Sequence, residues 1–126
     1  MTKLSLSDGE WKLMNLLWEH SPLTIGSMVD ALRNDTAWTK ATVNIMLGRL
    51  ASKGAVRIDA SGARKQFYPL LARDDAVRQE ARNTLSKIKS GGLGLLVSTM
   101  ARESDLSDAE LDELYRILKE RRRCND

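Results

Sequence analysis

Between Asp35 and Asp59 the chain carries no carboxylate, and the residues in that interval have the side chains that read nucleic acid. Arg49 brings a guanidinium fork that can grip guanine or a phosphate, and Asn44 an amide matched to adenine. Ile45 offers an apolar tip to a thymine methyl. Thr39 and Thr42, with Lys40 between, supply hydroxyls and a cation that can bond phosphates beside backbone N–H groups. Further on, Arg64 and Lys65 follow a Ser61-Gly62 turn, where they can meet phosphates or a narrow minor groove, or simply solubilise the turn. Residues 40–67 hold six Lys/Arg against Asp59 alone, whereas residues 71–126 hold eleven residues of each sign. A basic segment beside a neutral one fits a polyanionic partner for the first, although a solvated basic face gives the same count.

Other chemistries lack their residues. His20 is the single histidine and has no nucleophile beside it in sequence, and Cys124 is the single cysteine. No glycine-rich phosphate loop is present, so neither an enzyme, a cofactor nor a metal site is expected. One cysteine cannot close an intramolecular disulfide, which fits a reducing cytoplasm. The longest apolar-rich stretch, Leu93 to Val97, is too short to cross a bilayer, and Met1 to Ser5 opens no secretory segment. Membrane insertion is not expected.

The elements that must position these side chains follow from periodicity. Ser7-Asp8-Gly9-Glu10 has the form of a capping box, so a helix starts at Asp8, buries Trp11, Leu13, Met14, Leu17 and Trp18, and ends before Pro22. Thr24 caps a second helix whose apolar positions are Ile25, Met28, Val29 and Leu32. A third runs from about Thr39 to Lys53 and stops at Gly54, with Val43, Met46, Leu47 and Leu50 inward. Its opposite face then presents Ala41, Ile45, Gly48 and Ser52, flanked by Asn44 and Arg49. Gly48 either lets the helix approach a groove floor or is a tolerated weak helix former. The period then changes: Ala55 to Asp59 and Lys65 to Pro69 read as the two strands of a hairpin.

Three short helices and a hairpin are the element order of a winged helix-turn-helix, whose third helix enters the major groove. The expected fold is therefore mainly α with a small β-hairpin: residues 1–71 form the DNA-binding domain, and residues 72–126 a helical dimerisation region. In that second part a helix from Arg73 is interrupted at Gly91-Gly92. A second capping box, Ser107 to Glu110, opens a last helix ending in Arg121-Arg122-Arg123. Leu85, Ile88, Leu93, Leu96, Val97, Met100, Leu111, Leu114, Tyr115 and Leu118 need a partner surface, and a second copy of the chain is the commonest one.

Several runs of residues together resemble one family. Leu6-Ser7-Asp8-Gly9-Glu10-Trp11-Lys12-Leu13-Met14 with Leu17-Trp18, and Trp38-Thr39-Lys40-Ala41-Thr42-Val43 leading to Arg49-Leu50 and Lys53-Gly54, are similar to the penicillinase repressor family. So are Phe67-Tyr68-Pro69-Leu70, Gly91-Gly92-Leu93 and Asp105-Leu106-Ser107-Asp108-Ala109-Glu110-Leu111. The resemblance implies a homodimeric repressor that binds a palindromic double-stranded operator upstream of resistance genes. Its contacts would match Thr39, Thr42, Asn44, Ile45, Arg49 and Arg64. Where the methicillin-type repressors carry an arginine, this chain carries Asn44. Family members of the β-lactam branch are relieved when a membrane sensor triggers proteolysis in the dimerisation region. The matching junction here is Thr99–Met100, in place of the familiar Asn-Phe pair. The copper-responsive branch uses a Cys-x-Cys cluster, which the lone Cys124 does not provide.

Two other readings stay open. A winged helix can serve as a protein-interaction module, for which an apolar or acidic third-helix face is expected and to which Ile45 lends slight support. A DNA-binding repressor can also be relieved by a small-molecule effector between wing and tail.

Overall fold

The computed structural model describes residues 4–88 and 91–124, without the Cys124 side chain. The first residues, Met1 to Lys3, and the thiol of Cys124 thus lie outside the described residues. The elements run α1 (Asp8–His20), α2 (Ile25–Ala31), α3 (Lys40–Ser52), β1 (Val56–Asp59), β2 (Gln66–Pro69), α4 (Arg73–Lys87), α5 (Gly92–Glu103) and α6 (Asp108–Cys124). They fall into two compact units, Met1–Thr84 and Leu85–Asp126. The first unit is a winged helix-turn-helix.

Local chemistry sets the boundaries of its helices. At the start of α1 both arms of the capping box are made: Glu10 N–H donates to Ser7 Oγ (3.2 Å), and Ser7 N–H donates to Glu10 Oε1 (2.8 Å). Thr24 caps α2 by accepting from Ser27 N–H, and Thr39 caps α3 by accepting from Thr42 N–H. The end of α3 is a Schellman turn. Ala55 N–H reaches the Leu50 carbonyl (2.9 Å), Gly54 N–H reaches that of Ala51 (3.0 Å), and Gly54 sits at φ +78°. That left-handed residue turns the chain straight into the hairpin.

The two strands pair antiparallel, with Arg57 opposite Tyr68 and Ile58 opposite Phe67. A bridge from Leu23 adds one residue from the α1–α2 connection to the edge of β2, through Phe67 N–H to the Leu23 carbonyl (2.9 Å) and the reverse bond (3.3 Å). Phe67 thereby sits at the centre of the core with Leu13, Met14, Leu17, Met28, Val43, Leu47 and Leu50, all essentially without solvent contact. Each such buried side chain stabilises the fold by roughly 1.5–3 kcal/mol. The hairpin does not alternate cleanly. Ala55 and Val56 are both buried where the chain leaves the Schellman turn, while Ile58, across from the central Phe67, is exposed.

The indoles frame the core rather than fill it. Trp11 and Trp18 meet edge to face at 5.9 Å and stay half-buried, which lets each keep a polar partner. Trp18 Nε1–H donates to the Leu71 carbonyl (2.8 Å) and Trp11 Nε1–H to Glu80 (3.3 Å). Met46, expected inward, is also half-buried, beside Gly9 and Trp38, where any side chain on Gly9 would strike Met46 Cε and the Trp38 ring. Along α4 Ala76 is buried, but Val77 and Leu85 are exposed. The other buried α4 residue is Asn83, whose side-chain amide donates to the Leu4 carbonyl (3.3 Å) and accepts from Gln79 (3.1 Å).

In the second unit, α5 begins after Gly91 and α6 opens on its own capping pair, Glu110 N–H to Ser107 Oγ (3.1 Å) and Ser107 N–H to Glu110 Oε1 (3.2 Å). None of the described residues of α5 or α6 is buried. No helix among the described residues is long and apolar enough to cross a membrane.

Candidate nucleic-acid interface

Helix α3 is packed against the rest of the first unit through Val43, Leu47 and Leu50, so the residues between those positions face outward. Thr39, Lys40, Ala41, Thr42, Asn44, Ile45, Gly48 and Arg49 are all exposed. At the helix start the hydroxyls of Thr39 and Thr42 lie 3.2 Å apart, which places two hydroxyls beside the free N–H groups of the first turn.

The hairpin brings the basic pair to this end of α3. Arg64 and Lys65, past β1, line one cleft of about 590 Å³ with Lys40, Ala41 and Asn44 from α3 and with Thr24, Ile25 and Gly26 from the start of α2. No acidic side chain lines it. Three cations facing one acid-free cleft fit a phosphate-bearing ligand. Thr24, Ile25 and Gly26 were legible in sequence only as a helix start. Their place beside Arg64 depends on the long-range bridge between Leu23 and β2.

Arg49 stands apart from this cluster. It lies near the other end of α3 and borders a second cleft, of about 720 Å³, with Leu4, Ser5, Ser7, Glu10, Ser52 and Lys53. The predicted contacts are therefore spread along the whole outer face of α3. The structure gathers Lys40, Asn44, Arg64 and Lys65, and sets Arg49 at the far end.

Electrostatics separates these cations from their neighbours. Lys12, Arg33, Lys53 and Arg78 sit in ion pairs with Asp35, Asp30, Glu10 and Asp75. Lys40, Arg49, Arg64 and Lys65 face no described carboxylate at ion-pair distance. The one acid near the wing, Asp59, is engaged locally. The Ser61 hydroxyl (2.6 Å) and backbone N–H (3.0 Å) both donate to it and hold its carboxyl below the usual range. Arg57, not singled out from sequence, lies 4.1 Å over the Tyr68 ring, a contact set by the cross-strand register and visible only once that register is known.

The second unit carries the remaining expected residues. Leu85, Leu111, Leu114, Tyr115 and Leu118 are exposed, and Ile88 and Leu96 are half-buried. Leu93, Val97 and Met100 on α5 are exposed as well. Thr99 and Met100 are both solvent-facing and lie inside the helical span of α5. Among the described residues there is no group of His, Cys, Asp or Glu that could hold a metal ion.

Comparison with known proteins places the chain among repressors. A family model described as penicillinase repressor matches residues 6–120. The chain is similar to a penicillinase repressor of Bacillus licheniformis, 29% identical over 91% of this chain and 90% of that protein. It is also similar to the methicillin resistance regulatory protein MecI of Mammaliicoccus sciuri, 26% identical over 92% of this chain and 94% of the relative. Among solved structures it is similar to monomeric Bacillus licheniformis BlaI in complex with the blaP half-operator. That likeness has a TM-score of 0.50 at 27% identity and covers 59% of this chain and 90% of that one.

Proposed function

The chain belongs to the penicillinase repressor family, and from that premise we propose that it is a dimeric transcriptional repressor of a palindromic operator, serving a regulon of the β-lactam-resistance type. In this reading residues 1–71 bind DNA and residues 72–126 join two copies. The observation that carries it is the acid-free outer face of α3, continued by the wing, whose Lys40, Arg49, Arg64 and Lys65 have no described carboxylate partner. A solvated face with no polyanion to meet would mix Glu with Lys. The solved complex of the related BlaI with a half-operator supports the same use of the fold.

The parts take distinct roles. α3 lies in the major groove, where Asn44 and Arg49 bond base edges or, for Arg49, a phosphate. Thr39, Lys40 and Thr42 hold the backbone at the helix start, and Arg64 and Lys65 hold it at the wing tip. Phosphate contacts fix register, and the base-edge contacts select sequence. Leu85, Ile88, Leu96, Leu111, Leu114, Tyr115 and Leu118 supply the dimer surface. Two half-site contacts joined in this way bind far more tightly than either alone. Cutting the second part therefore releases the operator. A sensor-triggered protease acting at Thr99–Met100 is the relieving step, and because that bond lies within α5, cleavage requires local unwinding of the helix.

Fluorescence anisotropy on the chain's own upstream promoter, at two salt concentrations and alongside Arg49→Ala, tests the reading. Tight, salt-steep binding at two protomers per site, weakened by the substitution, is the expected result. Binding no better than to random DNA, together with a salt-insensitive protein partner, would instead favour an interaction module built on exposed Ile45.

A further inference from the structure

Ile45 and Gly48 lie one helical turn apart on the outward face of α3. Ile45 is 59% exposed, while every other α3 side chain larger than alanine and fully apolar is buried or half-buried. Transferring such a side chain to water is unfavourable, and nothing within the chain covers it. Gly48 is also out of place. Glycine in a helix interior weakens the helix relative to alanine. Two internal reasons for keeping it are a left-handed backbone or a neighbour too close for a Cβ. Gly54 has the first and Gly9 the second. Gly48 has neither: its φ is not positive, and a Cβ placed there meets no heavy atom within 4 Å.

A reason outside the chain, beside mere tolerance of a weak helix former, is a partner that comes close to the helix backbone at that point. Asn44 and Arg49 flank the pair, so the partner is polar and hydrogen-bonding around this spot, yet it presents an apolar group to Ile45. In the major groove one base-edge group has that character, the C5 methyl of thymine.

We propose that Ile45 and Gly48 form a thymine-reading notch. The Ile45 side chain covers the methyl of one thymine in each half-site, and the bare backbone at Gly48 gives the clearance that brings α3 close enough to do so. The proposal rests on the DNA-binding reading above and goes beyond it by naming a base and the residues that select it.

The test uses the full-length protein and its upstream promoter fragment, prepared once with thymine and once with uracil throughout, plus a random-sequence fragment as reference. Wild type binds the thymine fragment about fourfold more tightly per half-site, the value of one buried methyl. Ile45→Ala binds the two fragments equally. Gly48→Ala melts at a higher temperature than wild type, yet loses roughly tenfold or more on the thymine fragment because its new methyl meets the base pair. Equal wild-type affinity for thymine and uracil DNA overturns the proposal while leaving operator binding intact. So does a uracil effect that survives in Ile45→Ala, or a Gly48→Ala protein that binds as wild type does. A wild-type protein that prefers neither promoter fragment to random DNA overturns the proposal and the DNA-binding reading together.

Discussion

Lys53 Nζ donates at once to Glu10 Oε1 (2.6 Å) and to the Ser5 carbonyl (2.7 Å), so the capping residue of α3 is fastened to the first turn of α1 and the segment before it. Glu10 is only 2% exposed. Burial by itself pushes its carboxyl upward, but the hydrogen bonds from Lys53 and from the Ser7 backbone, with the Lys53 charge, outweigh burial and hold it below the usual range. The tie is thus both a capping box and an ion pair, and it fixes the end of the helix that carries Arg49.

Glu10→Gln keeps the shape of this tie and removes its charge. Stability at pH 7 falls by about 1–3 kcal/mol, less than for a fully buried pair because Lys53 is about a third exposed. A carboxyl whose folded pKa is depressed stabilises fully above its unfolded value, near 4.5, and that contribution is lost as pH falls through the folded value. Glutamine cannot titrate. Urea unfolding of both proteins from pH 7 to pH 3 therefore shows a gap that closes on acidification, and a gap independent of pH would refute the pairing.

Gly54 carries the turn between α3 and the hairpin. At φ +78° an alanine pays about 1–2 kcal/mol for the left-handed backbone. Open space around the position means the loss comes from the backbone alone. Gly54→Ala lowers the melting temperature by several degrees, and Gly54→Asn, which tolerates this region better, lowers it less. Equal losses for the two variants would show that conformation is not the cause.

What sequence could and could not show divides along contact range. Ser7 with Glu10, Thr24, Thr39 and Gly54 act on atoms within five residues of themselves, and these helix ends were legible. The Leu23 bridge to Phe67 was not, because one paired residue leaves no alternation to read. Asn83 was hidden for the opposite reason: its type belongs at a surface, and a bond to the carbonyl of Leu4, far away in sequence, helps make its burial tolerable. On α3, helical phase alone marked Ala41, Asn44, Ile45, Gly48 and Arg49 as outward. That Arg64 shares a cleft with Lys40 and Thr24, whereas Arg49 borders Glu10, needed the tertiary arrangement.

The wing and the helix start predict different signatures on DNA. In the proposed complex Arg64 and Lys65 act on phosphates, so Arg64→Ala/Lys65→Ala weakens binding to all sequences alike and lowers the slope of log affinity against log salt by about 2 per half-site, about 4 for two protomers. Asn44→Ala leaves that slope nearly unchanged and relaxes preference at one operator position, by about 1–3 kcal/mol. Anisotropy titrations over a salt series, on the promoter and on single-base variants of it, separate the two. An unchanged slope in the wing variant would remove Arg64 and Lys65 from the contact surface.

The second unit makes its prediction through what it leaves uncovered. On α6, Leu111, Leu114, Tyr115 and Leu118 follow the i, i+3, i+4, i+7 spacing of one stripe, and all four are exposed. Nearby, Arg116 is engaged with Glu113 and Glu120, each at 2.6 Å, so α6 is polar where it needs no partner. Apolar stripes of this size in a single chain call for a second surface, and in the dimer proposed above a second copy supplies it by symmetry. Leu118→Glu places a charge in that surface and destabilises the dimer by several kcal/mol, since an unpaired carboxylate would be taken out of water. Sedimentation equilibrium then shows monomer at concentrations where wild type is dimeric, and operator affinity falls by about 10²-fold or more as the half-sites uncouple. A dimeric variant with wild-type affinity would move the interface off the α6 stripe.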